Sequence, residues 1–198
     1  MTTQIETYIK DNLSGEMRQT ALDFVTYLAT SGLTFYKDTC ACWKDKIYYW
    51  VKRNDECVCF IAIKDPDEPD NLWTVWSDGS SAYEDDSVSD AIKNVGWKYV
   101  DHCGNCGSCE GGKRKVIFGK IFERVCGCTF RVDNAVQDDF PFLKKMVDLR
   151  MRELAQKRLK ALQSRLAFTM KRMCRHWWMK CVTEIRGNHE TRNDYCSI

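Results

Sequence analysis

The chain has 198 residues, 44% of them hydrophobic, with seven Trp, eight Tyr, nine Phe and a formal net charge of +2. That length suits one domain plus an appendage, and that apolar content excludes a disordered polymer. The small net charge hides an asymmetry: residues 1–140 hold 16 Lys/Arg against 23 Asp/Glu, and residues 141–198 hold 14 against 5. Opposite fields therefore separate an α+β domain over 1–140 from a long basic helix and polar tail over 141–198.

Taken in order, Thr2 or Thr3 caps a short helix with Ile5, Tyr8 and Ile9 on one face. Ser14 opens a second helix whose stripe is Met17, Ala21, Leu22, Phe24, Val25 and Leu28, and Gly32 stops it. Both are expected to cover a sheet. Leu33–Lys37, Ile47–Lys52, Cys57–Ile63 and Leu72–Trp76 are short strand-like runs. Their polar links predict antiparallel neighbours and a small, mostly antiparallel sheet. Alternation puts Ile47, Tyr49 and Val51 on one face and Tyr48, Trp50 and Lys52 on the other. Both faces carry apolar residues, so both need cover.

That need creates the one small-molecule expectation. Trp43, Tyr48, Trp50, Phe60, Trp73 and Trp76 are candidates to line an aromatic cup on whichever face the helices leave open. The blander account makes them core. Cys40, Cys42, Cys57 and Cys59 form two C-x-C pairs able to chelate from a strand, although Cys in an apolar strand usually serves as a small hydrophobe. Ser77–Asp86 reads as a solvated acidic loop, without the EF-hand order of ligands. Ser87 or Ser89 caps a short helix that Gly96 ends, and Trp97–Val100 reads as a strand leading into the richest stretch of the chain.

That stretch is His102, Cys103, Cys106 and Cys109, followed by Cys126 and Cys128. Thiolates gathered by tight turns are how soft metals are held without a large core. Zinc takes four ligands, so Cys103, Cys106, Cys109 and Cys126 are the first choice, with Cys128 and His102 as alternates. An iron–sulfur cluster is the competing cofactor, since it too begins with this spacing, but Glu110, Gly111 and Gly112 stand where a fourth Cys would follow. The residues Lys113 to Arg124 read as a hairpin arm that returns Cys126 to the first three thiols, with Thr129–Val132 closing the β region. A catalytic zinc would need a marked base, and neither Asp101 nor Glu110 is marked, so the ion is expected to be structural.

The pattern H-C-x₂-C-x₂-C followed by Phe118-Gly119-Lys120, Phe122 and Val125-Cys126 resembles a group of uncharacterised bacterial proteins that share H-C-x₂-C-x₂-C … F-G-K-x-F-x-x-V-C. The resemblance extends from about Ala21 through the helix beginning near Phe140. It implies one α+β domain with metal-binding cysteines, and it brings no activity.

Asp138, Asp139 and Pro141 suit a helix start, and neither Pro nor Gly occurs from Phe142 through Arg186. Leu143, Met146, Val147, Leu149 and Leu154 are expected to pack on the domain. Farther on, an irregular apolar stripe runs among Lys157, Arg158, Lys160, Arg165, Lys171, Arg172 and Arg175. This helix is expected to pack on its own acidic domain or on a second copy, to contact nucleic-acid phosphates, or to lie on an anionic membrane. The tail after Gly187 is expected to fray.

The polar start Met1-Thr2-Thr3 lacks a secretory leader, and no apolar run approaches the length of a transmembrane segment, which predicts a cytosolic protein with metal-binding thiols. No phosphate loop, dinucleotide glycine pattern, nucleophile elbow or H-E-x-x-H is present, and the three His leave little for acid–base chemistry. The sequence thus points to a binding or regulatory module with structural zinc rather than an enzyme. Redox or metal-handling through the thiols, and nucleic-acid association through the basic helix, are the alternatives.

Overall fold

The computed structural model describes residues 3–39, 46–85, 87–104 and 111–190, with side chains in the last helix described as far as Leu166 and again at Met170. Helices α1 (Gln4–Asn12) and α2 (Gly15–Thr30) precede strands β1 (Thr34–Lys37), β2 (Ile47–Arg53), β3 (Glu56–Ile63) and β4 (Trp73–Ser77). A 3₁₀ turn (Ser81–Glu84) and helix α3 (Asp90–Lys98) lead to β5 (Val100–His102), β6 (Lys113–Ile117) and β7 (Lys120–Asp133). A second 3₁₀ turn (Gln137–Asp139) opens α4 (Phe140–Glu190). Two compact units result, 1–154 and 155–198, so the first turns of α4 belong with the sheet.

The protein is α+β, with every strand pair antiparallel. The seven-stranded sheet runs β1-β2-β3-β4-β7-β5, and β6 adds to β7. Local chemistry sets the hairpins. Asn54 and Asp55 at φ 48° and 69° turn β2 into β3, and Phe118 and Gly119 at φ 49° and 77° turn β6 into β7, the paired left-handed conformation whose twist matches flanking strands. Glu6 accepts the Thr3 N–H at 2.9 Å to anchor the start of α1.

Cross-strand register sorts the residues by face. Tyr49, Ile61, Val75 and Val132 pair across four strands. All are buried, together with Ile5, Ile9, Phe24, Val25 and Leu28 from α1 and α2 and Phe142, Leu143, Met146 and Val147 from α4. One face of the sheet is therefore sealed by helices. Leu154 packs at the edge of this core.

Two expectations are corrected. Gly96 does not end α3, which continues to Lys98, so Trp97 and Lys98 are helical and the strand begins only at Val100. The reason is packing: a Cβ on Gly96 would sit 2.8 Å from the rings of both Phe118 and Phe142, so the glycine serves close approach rather than termination. The run Thr129–Val132 closes the β region, as the end of β7. Gly187, like Gly96, does not stop its helix, and α4 runs through Glu190.

A buried polar cluster ties α4 to the sheet. Arg150 and Glu153 are only 6% and 7% exposed. Arg150 pairs with Glu153 at 2.8 Å and with Asp78, and its Nε donates to the Cys57 carbonyl at 3.1 Å. Glu153 also accepts from the Ser80 and Ser81 hydroxyls at 2.6 and 2.8 Å. Such a cluster tolerates the loss of no single member, because the partner charge stays buried. Arg150→Ala is expected to lower the unfolding free energy by about 3–5 kcal/mol in urea titrations. Tyr83 offers the opposite case. Its buried hydroxyl lies beside Ser77 Oγ, which accepts the Phe130 N–H and donates to the Cys128 carbonyl, and it forms no hydrogen bond of good geometry among the described residues. Tyr83→Phe should therefore leave the urea midpoint unchanged or raise it.

Candidate functional site

The face of the sheet opposite the helices is lined by aromatic rings. Tyr36 pairs with Trp50, Trp50 with Phe60, Phe60 with Trp76 and Trp76 with Arg131, a single row across five strands. These side chains share one face because cross-strand partners do. Trp50 and Phe60 meet edge to face at 4.5 Å, and Tyr48 stacks on Trp76 at 5.7 Å between centroids. The residue separating those two strands at the next position is Ala62, small enough for the rings to lean together over it. Arg131 lies 5.4 Å from the centre of Trp76, and Lys52 lies 5.3 Å from Trp50 and from Tyr36, distances at which a cation is attracted to the ring face. All four central rings are half-buried, and Tyr36 is exposed.

Carboxylates rim this row and hold its polar atoms. Asp38 accepts from Trp50 Nε1 at 2.9 Å, and Asp65 accepts from the Tyr48 hydroxyl at 2.7 Å and pairs with Lys46 at 3.1 Å. Glu68 and Asp133 clamp Arg131. Burial opposes the charge on Asp65, yet hydrogen bonds from Tyr48, the Asp67 N–H and Lys46 outweigh it and hold the carboxyl below its ordinary range. Hydrogen bonds from Arg131, then Asn71, lower Glu68 in the same direction. The face is thus aromatic at its centre and ionised at its margin.

Of the residues expected to line a cup, the structure brings Tyr48, Trp50, Phe60 and Trp76 together. Trp73 is corrected: it pairs with Ile63, is 1% exposed, and donates Nε1–H to the Ala135 carbonyl from the helix-covered side. One step of strand alternation separates it from the open face. Trp43 lies outside the described residues. Tyr36 and Arg131 were not expected here. Tyr36 was legible from alternation in β1, whereas Arg131 depended on the long-range pairing of β7 with β4.

Cys126 and Cys128 lie within β7, and Cys103 follows β5 beside it. Val125 pairs with His102 of β5 on one side and Lys113 of β6 on the other, and Cys103 N–H donates to the Arg124 carbonyl at 2.8 Å. This brings Cys103 to within two residues of Cys126 along the ladder. On the β6 side Gly112 lets that strand enter close to β7, since a Cβ there would sit 2.3 Å from the Arg124 backbone. Between Val125 and Phe130 the partner β5 advances only from His102 to Val100, so β7 bulges over residues 126–129, with Thr129 at φ 74°. Lys115 secures the bulge, donating to the carbonyls of Cys126 and Gly127 at 2.8 and 3.2 Å and to Thr129 Oγ1 at 2.8 Å. Gly79 packs beneath it, where a Cβ would stand 2.9 Å from the Gly127 carbonyl. Lys115 and Gly79 carried no signal in the sequence as parts of this turn.

Cys106 and Cys109 lie outside the described residues, as do Cys40 and Cys42. Among the described residues no group of three or more His, Cys, Asp or Glu can hold a metal ion. The imidazole Nδ1 of His102 sits 3.2 Å from the Glu123 carbonyl. Burial, with Cys126 and Asp101 nearby, pushes the Cys128 thiol up to about 12. Burial and Asp78 do the same to Cys57, also to about 12, and Cys59 is fully buried and raised as well. Cys59 is thus packed in β3 in the hydrophobe's role, with Cys57 half-buried beside it.

The acidic loop is less solvated than its composition implied: Asp78 pairs with Arg150, Asp85 pairs with Arg152 at 2.5 Å, and Tyr83 is core. On α4 the candidate anion-contacting residues Lys157, Arg158, Lys160 and Arg165 are exposed; the side chains of Lys171, Arg172 and Arg175 lie outside the described residues. Among the described residues no helix is long and apolar enough to cross a membrane. Comparison with protein-family models, curated proteins and solved structures finds no match.

The raised Cys57 thiol makes a pH prediction. A group protonated more firmly in the folded state stabilises that state below its unfolded pKa of about 8.5, and the contribution is lost as pH rises toward 12. The urea midpoint should fall between pH 8 and pH 10 more steeply in the wild type than in Cys57→Ala. Native-state alkylation at pH 8 should spare Cys57 and Cys59, as judged by peptide mass spectrometry.

Proposed function

We propose that the chain is a cytosolic binding or regulatory module that holds a planar small molecule on its aromatic sheet face, with a structural zinc ion stapling the ends of β5, β6 and β7. The observation that carries the binding role is the in-register row of Trp50, Phe60 and Trp76, with Tyr48 stacked beside it, left half-buried on the face without helices. Rings held in place by neighbours present flat apolar area at little conformational cost, and rim carboxylates supply acceptors for the donors of a neutral or cationic ligand. Nucleosides, sugars and aromatic amines fit that chemistry. Polyanions do not, because the rim is carboxylate-rich.

The zinc part rests on the ladder that carries Cys103 to the neighbourhood of Cys126. Cys106 and Cys109 fall in the sequence between β5 and β6, so with Cys103 and Cys126 the thiols reach the count zinc requires. A reducing compartment keeps such thiols available as ligands, in accord with the cytosolic reading. Cys128 is the alternate for the fourth position and His102 a weaker one. The ion would act on stability and not on chemistry, closing the loop against the sheet.

Elemental analysis of protein purified without added metal is expected to give about one zinc per chain, with no visible absorbance band. Iron with a brown colour would favour the cluster alternative and sink the zinc reading. Cys103→Ser and Cys126→Ser should each lose the ion and lower the melting temperature, whereas Cys57→Ala should keep the ion. For the aromatic face, Trp fluorescence titrated with a panel of nucleosides, sugars and aromatic amines is expected to show saturable quenching that Trp50→Ala and Trp76→Ala each weaken at least about tenfold. Binding indifferent to both substitutions would place the ligand elsewhere.

A further inference from the structure

The second unit carries a feature that neither the sheet nor the thiols use. On α4, Leu159, Leu162, Leu166 and Met170 are 57%, 49%, 64% and 66% exposed. Their spacings of three, four and four residues place them along one line of a helix that turns about 100° per residue. By the same geometry Arg158 and Arg165 fall on one flank of that line and Lys160 on the other. From Leu154 to Thr183 the sequence contains eight Lys/Arg and no Asp/Glu.

We propose that this segment of α4 docks on the surface of an anionic lipid bilayer, its leucine line sunk to the acyl boundary and its flanking cations among the headgroups. Two facts select this occupant. A second copy of the same helix would set cation against cation along the whole seam, with no carboxylate to offset them, so pairing of like helices is disfavoured. Nucleic-acid phosphates would satisfy the cations but leave four large apolar side chains in water. An anionic bilayer answers both: basic flanks attract the headgroup charge, each cation contributing on its own, and the apolar line buries area that stays wet otherwise. The segment is too polar to insert across the bilayer, so it lies in the interface plane.

The test is co-sedimentation of the full chain with vesicles of phosphatidylcholine alone and of equal parts phosphatidylcholine and phosphatidylglycerol, with duplex DNA binding and oligomeric mass measured alongside. The wild type is expected to bind the mixed vesicles and to bind the neutral ones at least tenfold more weakly. Leu162→Gln with Leu166→Gln should cost about a hundredfold in partitioning, and Arg158→Gln with Lys160→Gln about thirtyfold. Leu162→Met with Leu166→Met should retain binding. Gln and Met have similar helix propensity, so the contrast between them reads apolar area rather than helicity. Equal binding by the Gln and Met pairs, no binding of mixed vesicles, or a leucine-dependent dimer that ignores vesicles would each overturn the proposal. So would DNA binding without vesicle binding.

Discussion

Strand β7 must satisfy three neighbours, and this requirement shapes the whole first unit. Its last residues pair with β4 and join the main sheet, its first residues pair with β6, and β5 lies along it between. Its ladder with β5 slips between Phe130–Val100 and Val125–His102, where five residues of β7 face two of β5, which a regular two-residue pleat does not allow. The mismatch is absorbed by left-handed backbone at Arg124 and Thr129 and by the bulge between them. Both C-x-C thiols of this region sit on that bulge. The turn that solves a pairing problem is thus also what presents sulfur.

The same strand connects the two faces of the sheet. Val132 faces the helices and fills the core, while Arg131, one residue earlier, reaches the aromatic side and is clamped by Glu68 and Asp133. Below it, Asp78 and Arg150 link the start of the acidic loop to α4. Helices seal one face with buried apolar side chains; among the described residues the other face is lined by its own rings and ion pairs. A face built that way keeps flat apolar area near solvent without exposing loose leucines, and this is the ground on which we propose it as a binding surface.

Much of this was legible in the sequence where local chemistry decides. The two N-terminal helices, the four consecutive strands, the Asn54–Asp55 turn and the alternation that sets Tyr48 and Trp50 against Tyr49 and Val51 all follow from periods and turn residues close in the chain. The helix character of Trp97 and Lys98 did not, because Gly96 looks like a stop until Phe118 and Phe142 are seen against it. Trp73 looked equivalent to Trp76; only the register of β3 with β4 separates a core ring from a surface one. The roles of Lys115, Arg131 and Arg150 rest on partners far along the chain, and composition gives no hint of them. Cysteine spacing named the candidate ligands, while the pairing that sets Cys103 against Arg124, two residues before Cys126, came from β7.

The proposed zinc would join the thiol that follows β5 and one from the middle of β7 to those of Cys106 and Cys109. X-ray absorption at the zinc edge measures this directly on the purified protein. A first shell of about four sulfurs at roughly 2.3 Å, one sulfur fewer in Cys126→Ser, is the result this account predicts. A shell of oxygen and nitrogen, or an unchanged sulfur count in that variant, would contradict it.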